Sequence, residues 1–106
     1  MSDTLDLVKP LAAAGSIVVS VHAHDRFIQN GFTTREVQAG AAAAIVVEDY
    51  PDWHKGPGVL VLQLDASGRP IHGLWGLRNC TTEPAVVITA YRPEPGEWTA
   101  DFRSRL

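Results

Sequence analysis

The chain changes character near residue 45, and that change constrains its fold more than any single motif. Ahead of it lie segments that open on helix caps. Behind it lie short β-branched and apolar runs cut by Pro and Gly. Asp3 predicts a cap for a first helix over residues 4–14, with Leu5, Leu7, Val8, Leu11 and Ala12 as its apolar positions. Pro10 predicts a kink or a late start in that helix, and Gly15 a stop. Ile17-Val18-Val19 predicts a brief strand. Ser20 predicts the N-cap of a second helix carrying His22 through Gln29, ended by Asn30-Gly31. Thr33-Thr34-Arg35-Glu36 resembles a capping box for a third helix holding Val37 and the alanines around 41–44, weakened by Gly40. Strands are then expected over 45–50, 59–64, 71–77 and 85–91, the middle two forming a hairpin around Ser67-Gly68. Residues 98–105 predict a short docked helix or tail. The expectation is one α+β domain over residues 1–106, its N-terminal helices on one face of a four-stranded antiparallel sheet.

Composition narrows the function classes. No apolar run approaches the roughly 18 residues that a membrane helix needs, so no membrane partner is expected. Residues 1–15 carry Asp3, Asp6 and Lys9 in place of a basic head and a long apolar run, which argues against a secretory signal. The single Cys80 forms no internal disulfide and suits a reducing cytoplasm. Net charge is -3, which counts against strong non-specific nucleic-acid binding. The charge is uneven, however. Residues 1–66 hold four Lys/Arg against eight Asp/Glu, whereas residues 67–106 hold five against four. A local arginine cluster therefore suits a small or transient anionic substrate.

Three short stretches hold the groups with chemistry to offer: the run from Ser20 to Arg26, Pro70-Ile71-His72, and Thr89-Ala90-Tyr91-Arg92-Pro93. On a helix His22 and Arg26 are four apart and share a face. Imidazole exchanges protons near neutral pH, and guanidinium grips a phosphate through two bonds at once. The bland alternative is that His22 packs the helix start and Arg26 pairs with a surface acid. Alternation groups His72 with Leu74 on one face of its strand, and Thr89 and Tyr91 with Val87 on one face of theirs. A histidine at a hairpin mouth is more often structural, and a Thr and a Tyr beside apolar residues often form a core edge with wet tips. His22-x-His24 with His72 or Asp25 offers zinc donors, but that spacing suits a strand better than a helix and no Cys pair joins it, so neither metal nor cofactor is expected. Cys80 sits in a turn as a spectator, and the three tryptophans read as packing anchors.

Ser20-x-His22-Ala23-x-x-Arg26-Phe27, Glu48-Asp49-Tyr50-Pro51, Pro70-Ile71-His72 and Thr89-Ala90-Tyr91-x-Pro93 followed by Trp98 together resemble domain-of-unknown-function family 4258, over about residues 16–103. That family resembles the barnase/EndoU/colicin/RelE group of small α+β folds, many of them metal-independent RNA-cleaving toxins. The resemblance implies a RelE-like fold and a metal-independent endoribonuclease, toxin-like or toxin-derived. His22 and His72 would be its acid/base pair and Arg26 its phosphate clamp. Thr89 and Tyr91 would position the substrate, with Tyr91 in the catalytic set and Arg92 and Ser20 as further binding residues. RNA, an antitoxin-like protein and a second copy of the chain are the expected partners, the last because Val59-Leu60-Val61-Leu62 is apolar on both faces. Family members often carry a second basic residue after the first arginine, where this chain has Gln29-Asn30. That departure supports an alternative, a non-enzymatic interaction module in which His22, Arg26 and Tyr91 form a structural network. Any catalytic reading requires His22, Arg26, His72 and Tyr91 to meet in one solvent-reachable cleft.

Overall fold

A computed structural model describes residues 2–106. Helix α1 spans Asp3–Ala13, strand β1 Ile17–Val19, helix α2 Val21–Asn30 and helix α3 Thr34–Gly40, which runs into a 3-10 turn at Ala41–Ala43. Strands β2 (Ile45–Tyr50), β3 (Gly58–Leu64), β4 (Pro70–Gly76) and β5 (Ala85–Tyr91) follow. The caps act where the sequence puts them, with one shift. Ser20 Oγ accepts from the Ala23 N–H, Thr33 and Glu36 close a capping box, and Gly31 ends α2 at φ 76°. At α1 the cap is Ser2 in place of Asp3, its Oγ accepting from the Leu5 N–H.

The sheet has five strands in the order β1-β5-β4-β3-β2, which corrects the expected four. β2 to β5 form the antiparallel meander. β1 adds to its edge in parallel, pairing Ile17 with Ala85 and Val19 with Val87. The chain then leaves β1 directly into α2, which lies alongside β5. The Ser20 N–H donates to the Val87 carbonyl, the Ser20 hydroxyl to the Ile88 carbonyl, and the Arg92 N–H to Asn30 Oδ1. Both ends of α2 are thus tied to one strand.

One face of the sheet packs on α1 and α3. Leu5, Val8 and Ala12 from α1, Val37 from α3, and Val59, Val61, Ile71, Trp75 and Val87 from the strands share this core. Gln63 crosses it, donating to the Val37 carbonyl and accepting from Trp75 Nε1. Gly40 is needed here, because a Cβ would lie 2.7 Å from the Leu64 carbonyl oxygen. The other face carries Leu60, His72, Leu74 and Tyr91, and two irregular segments cover parts of it. One is the loop with Trp53. The other is the tail, where Trp98 bridges to Arg105. Arg105 forks onto Glu48 at 2.9 and 3.0 Å and stacks 4.7 Å from the Trp98 ring. Leu60 is buried along with Val59 and Val61, whereas Leu62 on the same face is half-buried and Leu64 is exposed, so the cover of that face of β3 is partial.

Candidate functional site

α2 presents two stripes. Ala23 and Phe27 are buried against the domain. His22, Arg26 and Asn30, spaced by four, line a cleft of about 440 Å³ with Thr89, Tyr91, Arg92 and Glu94 of β5 and the segment after it. His22 and Arg26 are exposed. Among the described residues neither side chain has an ion-pair partner, and neither is tied by a hydrogen bond. Thr89 and Tyr91 are half-buried.

Thr89 and Tyr91 reach this cleft through a β-bulge. Trp75 pairs with Val87 but Leu74 pairs with Thr89, so Ile88 is extra. The bulge reverses the alternation. Thr89 and Tyr91 leave the face of Val87 and join that of Leu74 and His72. This corrects the expected grouping of Thr89 and Tyr91 with Val87, whereas the grouping of His72 with Leu74 holds.

His72 does not reach the cleft, so the meeting of His22, Arg26, His72 and Tyr91 that the expected nuclease required is not made, and His22 and His72 cannot be its acid/base pair. It sits opposite Tyr91 in register and has no exposed surface. Trp98 closes over it, rings edge-on at 4.4 Å between centroids. Its Nε2 lies 2.7 Å from the Phe102 carbonyl oxygen and its Nδ1 3.3 Å from Tyr91 Oη. Burial pushes the His72 imidazole below its ordinary value and the Tyr91 phenol above its own, so both are neutral at pH 7. His22 and His72 therefore lie on the two sides of Tyr91, one in water and one sealed by the tail.

The two remaining residues of the expected site are engaged in the fold. Arg92 pairs with Asp65 at 2.8 Å, donates to the Pro70 carbonyl and stacks 4.8 Å from the Phe32 ring. Its guanidinium holds β5 to the β3–β4 turn while still lining the cleft, with Nε left without a hydrogen-bond partner among the described residues. The Ser20 hydroxyl accepts at the helix cap and donates to the Ile88 carbonyl, which uses its only proton. No group of three His, Cys, Asp or Glu side chains among the described residues is gathered tightly enough to hold a metal ion. Sequence reasoning missed Asn30 and Glu94. The four-residue spacing from His22 through Arg26 was the available signal for Asn30. Glu94 carried none, because it follows Pro93 outside any periodic element.

What the cleft offers chemically is one free guanidinium, one exposed imidazole, a threonine hydroxyl and a phenol, with one carboxylate at its rim. That set suits an anion flanked by hydroxyl groups. No curated protein and no solved structure matches the chain. The family described as "Domain of unknown function (DUF4258)" matches residues 19–92, a span that runs from the last residue of β1 to just past β5 and takes in all the cleft residues except Glu94. The chain belongs to that family.

Proposed function

We propose that this cleft binds the phosphodiester of an RNA strand and that the protein is a metal-independent endoribonuclease, toxin-like or toxin-derived, on a fold of the RelE-like group. One observation carries the reading: Arg26 and His22 share a cleft with Thr89 and Tyr91 while remaining unengaged inside the protein. RNA cleavage needs a base for the 2′-hydroxyl, a cation on the phosphate and an acid for the leaving oxygen. Arg26 is the cation and stabilises charge building on phosphorus. His22 and the Glu94 carboxylate are the groups lining the cleft that can exchange a proton with a ligand, Tyr91 positions that ligand, and His72 acts only from behind Tyr91. Activity on RNA and the lone Cys80 both fit a cytoplasmic setting. The test is RNA cleavage in EDTA. Wild type is expected to cut, with His22→Ala and Arg26→Ala each slower by at least about 100-fold. Wild type no faster than the double variant sinks the proposal.

The sealed His72 favours a second reading, because it leaves the cleft with one histidine. In it the chain is an interaction module without catalysis, and its partner is an antitoxin-like protein or a second copy. The expected structural network of His22, Arg26 and Tyr91 is not formed, because among the described residues neither the His22 nor the Arg26 side chain is hydrogen-bonded or paired. In this reading Arg26 therefore serves the partner, and Arg26→Ala weakens its binding without lowering the melting temperature. A stable Arg26→Ala protein that has lost activity rejects the module.

A further inference from the structure

We infer that Tyr91 reads a ribose 2′-hydroxyl and that His72 is the positioning residue that fits it for this. The inference rests on the RNA-binding reading above. It begins with Phe102. Its carbonyl oxygen can only accept, and it lies 2.7 Å from His72 Nε2, so Nε2 carries the proton. A neutral imidazole then has a bare Nδ1, and Nδ1 lies 3.3 Å from Tyr91 Oη. Tyr91 donates its single proton inward to His72. Toward the cleft its oxygen is an acceptor only.

The tail secures this arrangement. Trp98 covers the imidazole, and Phe102 holds its carbonyl in place from a left-handed backbone at φ 59°, a conformation uncommon for any residue but glycine. On the sealed side the charged groups around the pair are Glu48 from β2, and Arg105 and Glu97 from the tail; on the cleft side Arg26, Arg92 and Glu94 share the lining with Tyr91. Arg105 and Glu48 are paired with each other, so they leave the imidazole little net field.

An acceptor beside a guanidinium selects its ligand. A phosphate has only acceptors: Arg26 attracts it and the Tyr91 oxygen does not. The ligand that satisfies both carries a donor next to its phosphate. RNA does, because the 2′-hydroxyl and the 3′-phosphate stand on neighbouring carbons. DNA lacks that donor. A site built to bind a hydroxyl rejects the analogue without one, since its own polar atom is then left unpaired. Tyr91 is thus the residue that separates RNA from DNA, and Arg26 contributes equally to both.

Binding of three fluorescent single strands of one mixed sequence tests this at low salt in EDTA: RNA, DNA and 2′-O-methyl RNA, with the RNA checked for integrity afterwards. Wild type is expected to bind RNA about tenfold tighter than the other two. Tyr91→Phe keeps the ring and should bring all three within about twofold. Nitrogen-15 NMR of His72 should show a proton on Nε2 and none on Nδ1. Equal wild-type affinity for RNA and DNA overturns the inference alone, as does a proton on Nδ1. No binding to any strand overturns the RNA reading and the inference with it.

Discussion

Arg26 and Arg92 carry the same guanidinium and are committed differently. Arg92 is fixed by Asp65, Pro70 and Phe32, and it joins β5 to the β3–β4 turn and the loop after α2. Arg26 is exposed in the cleft. Arg92→Ala should lower the melting temperature by about 4–8 °C. Arg26→Ala should move it by about 1 °C or less while weakening RNA binding, as a melt and an anisotropy titration of the same samples will show. If both variants melt early, Arg26 is structural after all. Glu94 sets a further test at the cleft rim, because its carboxylate opposes any anion bound there. Glu94→Gln should tighten RNA binding at low salt, and unchanged affinity would place the phosphate elsewhere. Sequence reasoning grouped both arginines with the ligand because residue type does not reveal a partner. Asp65 lies far from Arg92 along the chain, and no periodicity links the two. His22 and Arg26 were legible because a helix imposes its own spacing.

Among elements, α2 positions the cleft, and Ser20 positions α2. The Ser20 hydroxyl serves the cap and the Ile88 carbonyl together, so one side chain fixes the helix start against the bulge in β5. Ser20→Ala should cost about 1–2 kcal/mol in chemical denaturation. It should also weaken RNA binding with no ligand contact removed, because the stripe of His22 and Arg26 loses its register against Thr89 and Tyr91. A Ser20→Ala protein with wild-type stability would show that the β1–α2 junction is held by other contacts. The caps of α2 and α3 and the extents of β2 and β5 were readable from local chemistry. Two features were not. A three-residue run such as Ile17–Val19 contains no information about its partner, and β5 lies some way downstream. The bulge at Ile88 leaves the apolar pattern of 85–91 intact while turning Thr89 and Tyr91 to the other face.

At the scale of the whole molecule, the sheet is covered on one side by helices and on the other in part by irregular chain, and the latter cover seals a titratable group. His72 stays neutral because Trp98 and the tail keep water from it, with Arg105 adding to the effect and Phe102 and Glu48 opposing it. Its folded value therefore lies below the unfolded value of 6.5. Between the two the unfolded chain binds more protons than the folded one, so stability falls as pH drops below about 6.5 and is unaffected above it. One proton limits the slope to about 1.4 kcal/mol per pH unit. The carboxylates cannot supply this loss. Glu36, held low by the Ala66 and Thr33 N–H groups, and Glu48, held low by Arg105, titrate below their usual 4.5, and Asp65 and Asp101 below 3.8. Their contribution disappears only in stronger acid. Melting temperatures should thus be level from pH 8 to 7 and decline from 6.5 to 5. His72→Gln keeps a donor for the Phe102 carbonyl and has nothing to titrate, so its profile should stay level over that range, though from a lower starting point. His22, His24 and His54 remain in both proteins and cancel in the comparison. Parallel profiles for the two proteins between pH 6.5 and 5 would mean that water reaches His72 and that the tail does not seal it.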